Sequence, residues 1–102
     1  MSQKVIALVA GHACHGRPIL AITTVAKRFP DDIAIRKEGS DGGVADARSM
    51  MEVMLLRILP GNRLVVTADG PSAEQAASTL AALLSASEEE ADDLFRRFRG
   101  KD

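Results

Sequence analysis

Apolar residues follow two different periods along this chain, and the two periods predict a mixture of strands and helices. Short apolar or alternating segments bounded by turn residues predict four strands, at residues 3–9, 33–37, 44–46 and 63–69. Apolar residues at helical spacing predict an amphipathic helix over 17–29, a short helix from 49 to 56 and a helix over 73–84. A last apolar stripe at positions 91, 94, 95 and 98 predicts a helix at the C-terminal end.

Residues that start and stop helices support these assignments. Pro18 stands where the first turn of a helix tolerates proline, and Pro30 is expected to stop that helix. Ser49 and Glu52 have the spacing of a capping box, in which a hydroxyl and a carboxylate each accept from a free amide. The same spacing recurs at residues 72–75 and 87–90.

The order β-α-β-β-α-β-α predicts an α+β fold of the open-faced sandwich type. We expect a four-stranded antiparallel sheet that is covered on one face by three helices. Composition changes once along the chain: residues 1–86 carry a net charge of +1, whereas residues 87–102 carry −2. We therefore predict one domain over 1–86, followed by a C-terminal helical extension over 87–102 that is not a separate domain.

Composition excludes several classes of function. The 102 residues include one cysteine, which leaves no internal disulfide framework and no multi-cysteine zinc site. The net charge is −1 and the chain has no Trp or Tyr, so a nucleic-acid partner is not expected. Apolar runs are too short to cross a bilayer, and we expect a cytoplasmic protein with no membrane partner.

The segment 11–18, Gly-His-Ala-Cys-His-Gly-Arg-Pro, contains the candidate chemistry. His15 precedes a predicted helix whose N-terminus is formed by Gly16 and Pro18, and a helix N-terminus attracts anions. The same field disfavours a protonated imidazole, so we expect a neutral, nucleophilic ring at pH 7. Arg17 is placed to pair with an incoming phosphoryl group. This chemistry suits a histidine that accepts and then releases phosphate.

The same residues resemble a known family. His15-Gly-Arg-Pro18 is similar to the His-Ala-Arg-Pro active site of HPr, the histidine-containing phosphocarrier of the bacterial phosphoenolpyruvate:sugar phosphotransferase system. Residues 49–54, Ser-Met-Met-Glu-Val-Met, resemble the HPr helix that starts at a regulatory serine. Pro-Gly at 60–61 and Ala-Asp-Gly-Pro at 68–71 match in order and spacing, so the resemblance covers residues 3–85. The 68–71 sequence and the acidic C-terminal end also resemble the nitrogen-related branch, NPr.

The resemblance implies a fold, a function and a set of partners. It implies the same open-faced sandwich, with His15 accepting a phosphoryl group on Nδ1 from Enzyme I and passing it to an EIIA-type domain. Arg17 would stabilise that group, and Ser49 would be the target of an HPr kinase/phosphorylase. The chain would then be a stoichiometric carrier without cofactors, and not an independent turnover enzyme.

Four positions depart from the family pattern. The family usually has Gly-Leu or Gly-Met before the histidine, where this chain has Ala13 and Cys14. Gly16 replaces the common Ala or Thr, and Arg57 stands where many members have Gly after the second helix. These departures bear on partner specificity more than on phosphorylation.

A short helix cannot bury all the methionines that follow Ser49. We therefore expect Met50 and Met51, with Met54, to form part of an adaptable apolar docking surface. Arg28 and Arg48 are expected to border it and to attract an acidic partner. The alternative is that the methionines fill the core and that the arginines are simply solvated.

Two rival hypotheses also fit the sequence. One is a regulatory HPr-like binding module that acts by docking through Ser49 and the methionines, with phosphotransfer secondary or lost. The other is a metal or thiol enzyme centred on His12, Cys14 and His15. No fourth metal ligand is evident in the sequence, so no metal is expected, and a small buried thiol is the simpler role for Cys14. Ser49 likewise has a structural role as a helix cap.

Overall fold

The computed structural model describes residues 2–100. Its elements are, in order, β1 Ser2–Val9, α1 Arg17–Ala26, β2 Asp32–Lys37, β3 Gly43–Asp46, α2 Met50–Leu55, β4 Arg63–Gly70, α3 Ala73–Ser85 and α4 Glu88–Arg99. The four strands form one antiparallel sheet in the order β1-β4-β2-β3. Within the described residues, no helix is both long enough and apolar enough to cross a membrane.

One row of side chains across the sheet shows how the core is formed. Ile6 pairs with Val66, Val66 with Ile35, and Ile35 with Ala45, so one apolar side chain from each strand lies in a single row. The last three of these residues are fully buried, and Ile6 packs against the core. Since side chains alternate along a strand, this row faces the helices and its neighbours face outward. Val5 and Val9 on that outer face are each 55% exposed.

The helices supply the other half of the core. α1 buries Ile22 and Val25, and α3 buries Leu80 and Leu84. α2 contributes little, because Val53 is the buried residue of its six. The predicted fold class is therefore confirmed: a four-stranded antiparallel sheet has helices on one face and is open on the other.

α4 is present as predicted and packs against α1 and α3. The capping box is formed at its start, where Ser87 Oγ accepts from the Glu90 amide and Glu90 Oε1 accepts from the Ser87 amide. Ala91 is buried beneath it. The division of the chain into a domain over 1–86 and an extension over 87–102 stays a prediction.

Two local predictions were wrong. α1 ends at Ala26, three residues earlier than its apolar pattern predicts, because the amides of Arg28 and Phe29 bond to carbonyls three residues back and tighten the chain into turns. Ser72 precedes α3 but makes no side-chain cap. Its backbone amide instead donates to Oδ2 of the buried Asp31 (2.9 Å), which comes from a distant part of the chain.

Candidate functional site

The loop that carries His15 is held in place by backbone hydrogen bonds to three other parts of the chain. The Ala10 amide donates to Asn62, the Gly11 amide to Leu84 and the Cys14 amide to Ile58, at 2.8–3.0 Å. Gly11 is required at its position, because a Cβ there would lie 2.2 Å from the Ser85 carbonyl oxygen. These bonds hold the loop between the end of α3 and the segment after α2.

His12 helps to hold this loop in place. Its side chain is buried, and its Nδ1 donates to the Ala86 carbonyl at 2.8 Å. A carbonyl can only accept, so Nδ1 of His12 carries the proton. The imidazole thereby ties the loop to the junction between α3 and α4, a contact that the sequence pattern did not reveal.

His15 stands at the exposed end of the loop, directly before α1. The helix begins at Arg17 with Pro18 buried in its first turn. Within the described residues, no side chain caps this helix start and its first turn holds no acidic residue. The amides of the first turn are thus open to an anion.

Gly16 gives the start of α1 an unusual backbone. Its φ of 55° and ψ of −121° lie where residues with a side chain are strained, and glycine adopts this region readily. A Cβ added there would meet nothing within 4 Å, so the constraint is the backbone conformation and not space. The departure from the family's usual Ala or Thr at this position thus has a local physical reason.

Cys14 has the properties of a structural thiol. It is 5% exposed, and burial raises its pKa to about 12. At neutral pH the sulfur is a protonated thiol, which is a poor nucleophile and a poor metal ligand. Among the described residues, no group of three His, Cys, Asp or Glu side chains is arranged to hold a metal ion.

Arg17 makes a contact that the sequence analysis missed. Its Nη2 donates to Oδ1 of Asp92 in α4 at 2.9 Å. The other carboxylate oxygen of Asp92 accepts from Arg96 at 2.7 Å. An open groove between α1 and α4 of about 690 Å³ is lined by these residues together with Leu20 and Phe95. The 75-residue separation left no local signal for this contact.

The start of α2 differs from the start of α1. Ser49 Oγ accepts from the Glu52 amide at 3.2 Å, as the capping pattern predicts. Glu52 reaches back to the amide of Asp46 (2.9 Å) in place of the Ser49 amide. Ser49 is half-buried, and its hydroxyl is already engaged by the helix it begins.

Met50, Met51 and Met54 are 49%, 67% and 54% exposed, and Leu55 is 65% exposed. These four residues form an apolar surface on α2, which we call the α2 patch. Leu56, which directly follows α2, lies in the core at 6% exposure. The exposure of the α2 patch fits a docking surface, which stays a prediction.

The two arginines expected to border the α2 patch are engaged within the chain. Arg48 Nη2 donates to the carbonyls of Phe29 (2.9 Å) and Asp31 (2.6 Å), and so braces the turn after α1. The Arg28 guanidinium lies 5.6 Å from the ring centroid of Phe98 in α4. Both residues have a structural contact that any docking role must accommodate.

The end of α2 places another departure from the family pattern, Arg57, in a backbone conformation that favours glycine. Arg57 has φ = 54°, the left-handed conformation that glycine adopts without strain. The buried ammonium of Lys37 donates to the carbonyls of Leu56 (2.8 Å) and Arg57 (3.1 Å) and to Asp41. The same ammonium holds the pKa of the exposed Asp41 carboxyl below its ordinary value.

Comparisons with known proteins agree with this architecture. A family model described as the PTS HPr component phosphorylation site matches residues 2–86. The phosphocarrier protein HPr of Vibrio cholerae serotype O1 is 31% identical over 84 residues, which cover 82% of this chain and 95% of that protein. The crystal structure of an HPr from Bacillus anthracis covers 80% of this chain and 96% of that one, with 30% identity and a TM-score of 0.72.

A longer class of proteins matches as well. The multiphosphoryl transfer protein of Vibrio cholerae is 35% identical over 75 residues, which are 74% of this chain and 19% of that protein. The chain thus spans about a fifth of the length of the multiphosphoryl transfer proteins it matches. The match to the family model ends at residue 86, immediately before α4 begins at Glu88.

Proposed function

We propose a phosphocarrier function from one premise: the chain belongs to the HPr family of the phosphotransferase system. In this proposal His15 accepts a phosphoryl group from phosphorylated Enzyme I and passes it to an EIIA-type domain. The observation that carries the proposal is the family match over 2–86, with an exposed histidine at an uncapped helix start beside Arg17.

The transfer step is a displacement at phosphorus. The unprotonated Nδ1 of His15 attacks the phosphoryl group, and a new N–P bond forms as the N–P bond to the donor histidine breaks. The bonding electron pair returns to the donor nitrogen. Donor and acceptor are both imidazoles, so the two bonds are of the same kind and the group can pass in either direction. The chain contributes positioning and charge, through the amides of the first turn of α1 and the Arg17 guanidinium.

The proposal makes the chain a group carrier and not a turnover enzyme. Each phosphoryl group that arrives must leave before the next is accepted, and the partners supply the rest of each active site. A cytoplasmic location, shared with Enzyme I and EIIA-type domains, is part of this proposal. An HPr kinase/phosphorylase acting on Ser49 is a further partner that the proposal includes.

The test is labelling with phosphoenolpyruvate and the Enzyme I of the same organism. We expect one acid-labile phosphoryl group per chain, which mass spectrometry assigns to His15. The variant His15→Ala should carry no such label. Ser49→Ala is the matched control and should be labelled as the unaltered chain is, because the acid-labile group does not reside on the serine.

Two results would contradict the phosphocarrier proposal. One is the absence of acid-labile label with an Enzyme I that phosphorylates its own HPr. The other is label that persists in His15→Ala. Failure of the labelled chain to pass the group to an EIIA-type domain would remove the second half of the proposal and leave the first.

A regulatory docking module is the second candidate, and the exposed α2 patch next to Ser49 favours it. A phosphate on Ser49 would place about two negative charges beside that patch. A pull-down that compares Ser49→Asp with the unaltered chain tests this function. An unchanged set of captured proteins would remove the reason to assign Ser49 a regulatory role.

A further inference from the structure

The strongest unexplained feature of the site is the ion pair between α1 and α4. Arg17, the residue expected to stabilise phosphate, is bonded to Asp92 at 2.9 Å. Asp92 also accepts from Arg96 at 2.7 Å, so one carboxylate joins two guanidinium groups. Asp92 has no part in the phosphocarrier function or in the docking function proposed above.

The carboxylate is the fixed member of this pair. The side chain of Asp92 is 27% exposed, whereas that of Arg17 is 79% exposed. α4 is anchored on both sides of Asp92, by the buried Ala91 before it and by Phe98, which packs against the core and beneath Arg28, after it. The Arg17 guanidinium therefore rests against a carboxylate whose helix is anchored on the core.

A phosphoryl group on His15 would compete with Asp92 for the same guanidinium. Both are anions, and the guanidinium bonded to Asp92 belongs to the residue two positions after His15. Glu88 and Glu89 also line the groove beside the pair, so its α4 side carries further acidic residues. Less of the Arg17 charge is then available to the phosphoryl group.

We infer that Asp92 is a positioning residue that draws Arg17 away from phosphorylated His15 and so makes the phosphoryl group easier to give up. The inference rests on the proposed function, since it concerns the phosphorylated form of His15. It assigns to α4 a part in the chemistry of the site, through a residue that lies beyond the match to the family model. Because the Arg17 side of the pair is exposed to solvent, the effect is about threefold on the equilibrium that the pair biases.

The experiment measures the charge around the phosphoryl group directly. His15 is phosphorylated with phosphoramidate, a small-molecule phosphoryl donor, and the group is titrated by phosphorus NMR in the full chain. We expect Asp92→Asn to lower the pKa of the phosphoryl group by about 0.5 units, the logarithm of a threefold change, because the freed Arg17 stabilises its dianion. In 1 M salt the difference should shrink, since charges at an exposed pair are then screened beyond about 3 Å.

Asp93→Asn is the matched control. It removes the same charge from the next position of α4, where the side chain is exposed. We expect it to shift the pKa of the phosphoryl group much less than Asp92→Asn does. In a chain that already has Arg17→Gln, the substitution of Asp92 should act no more strongly than that of Asp93, because its effect passes through Arg17. The helical signal in circular dichroism verifies that α4 remains folded in each variant.

Several outcomes would overturn the inference. They are an unchanged pKa in Asp92→Asn, an equal shift in Asp93→Asn, a full shift that persists without Arg17, or a lack of phosphoramidate labelling at His15. Failure of the proposed function looks different: phosphoramidate would label His15 while Enzyme I would not. The effect of Asp92 would then still be measurable on the chemically phosphorylated chain.

Discussion

α1 and α2 each begin beside a residue that the family resemblance marks for phosphorylation, but their first turns are closed in different ways. α1 follows His15 and has no side-chain cap within the described residues, with Gly16 at φ = 55° as its first flanking residue. α2 follows Ser49, whose hydroxyl already accepts from the Glu52 amide. The uncapped start of α1, which we call the open start, has amides that can bind a phosphoryl group. At the start of α2, the closed start, the Ser49 hydroxyl already accepts from one of these amides. The amides at a helix start can thus either bind an anionic group or be capped by a side chain that stabilises the helix.

Replacing Arg17 should have the largest effect on the open start. Hydrogen bonds to charged groups contribute about 1.5–3 kcal/mol, so Arg17→Ala should slow labelling of His15 by Enzyme I at least tenfold. Single-turnover labelling measures this rate. Arg36→Ala is the control, because Arg36 is exposed on β2. An equal loss in that control would mean that overall charge, and not the position of Arg17, controls the reaction.

Gly16→Ala tests how much the positive φ at the open start of α1 requires glycine. The positive φ is costly for alanine, and we expect a loss of about 1–2 kcal/mol in the free energy of unfolding, measured in urea. If the variant is as stable as the unaltered chain, the start of α1 can adopt an ordinary helical entry. The contrast with α2 would then be weaker than the geometry indicates.

Ser49→Ala should remove the cap that closes α2. The loss of the hydroxyl acceptor should lower the free energy of unfolding by about 1 kcal/mol. Ser49→Thr keeps a hydroxyl and serves as its control. Equal stability of the alanine and threonine variants would show that Glu52 and Asp46 close this helix start without the serine.

Ser49→Asp should have the smallest effect of the four substitutions. An aspartate accepts the same amide bond and its charge is favourable at a helix N-terminus, so the free energy of unfolding should stay within about 0.5 kcal/mol. A larger loss in urea unfolding would mean that the start of α2 does not tolerate negative charge. Phosphorylation of Ser49 would then destabilise the protein as well as alter its surface.

The sequence predicted the parts of this molecule that depend on local spacing. The α+β class and the caps at Ser49 and Ser87 follow from periods and motifs within a few residues, and the structure has them. The candidate site was also found locally, because His15, Gly16 and Arg17 are consecutive. Their functional roles stay predictions, since burial and hydrogen bonds alone do not report phosphotransfer.

Three of the missed contacts join distant parts of the chain. The buried Asp31 accepts from the Ser72 amide before α3, the group from which the Gln75 side chain would accept in a complete capping box. The bond from His12 to Ala86 spans 74 residues, and the pair of Arg17 with Asp92 spans 75. No period or motif encodes such contacts, because they arise only when α3 and α4 have folded against the loop.

The bond from His12 to Ala86 also fixes the rotational phase of α4. Ala86 lies one residue before Ser87, the cap of α4, so the helix starts from a point tied to the loop that carries His15. An α-helix turns by about 100° per residue. Inserting one residue between Ala86 and Ser87 keeps the cap of α4 and would therefore rotate Asp92 by about 100° relative to Arg17. The number of residues at the junction 86–87 therefore determines which face of α4 lies against the site.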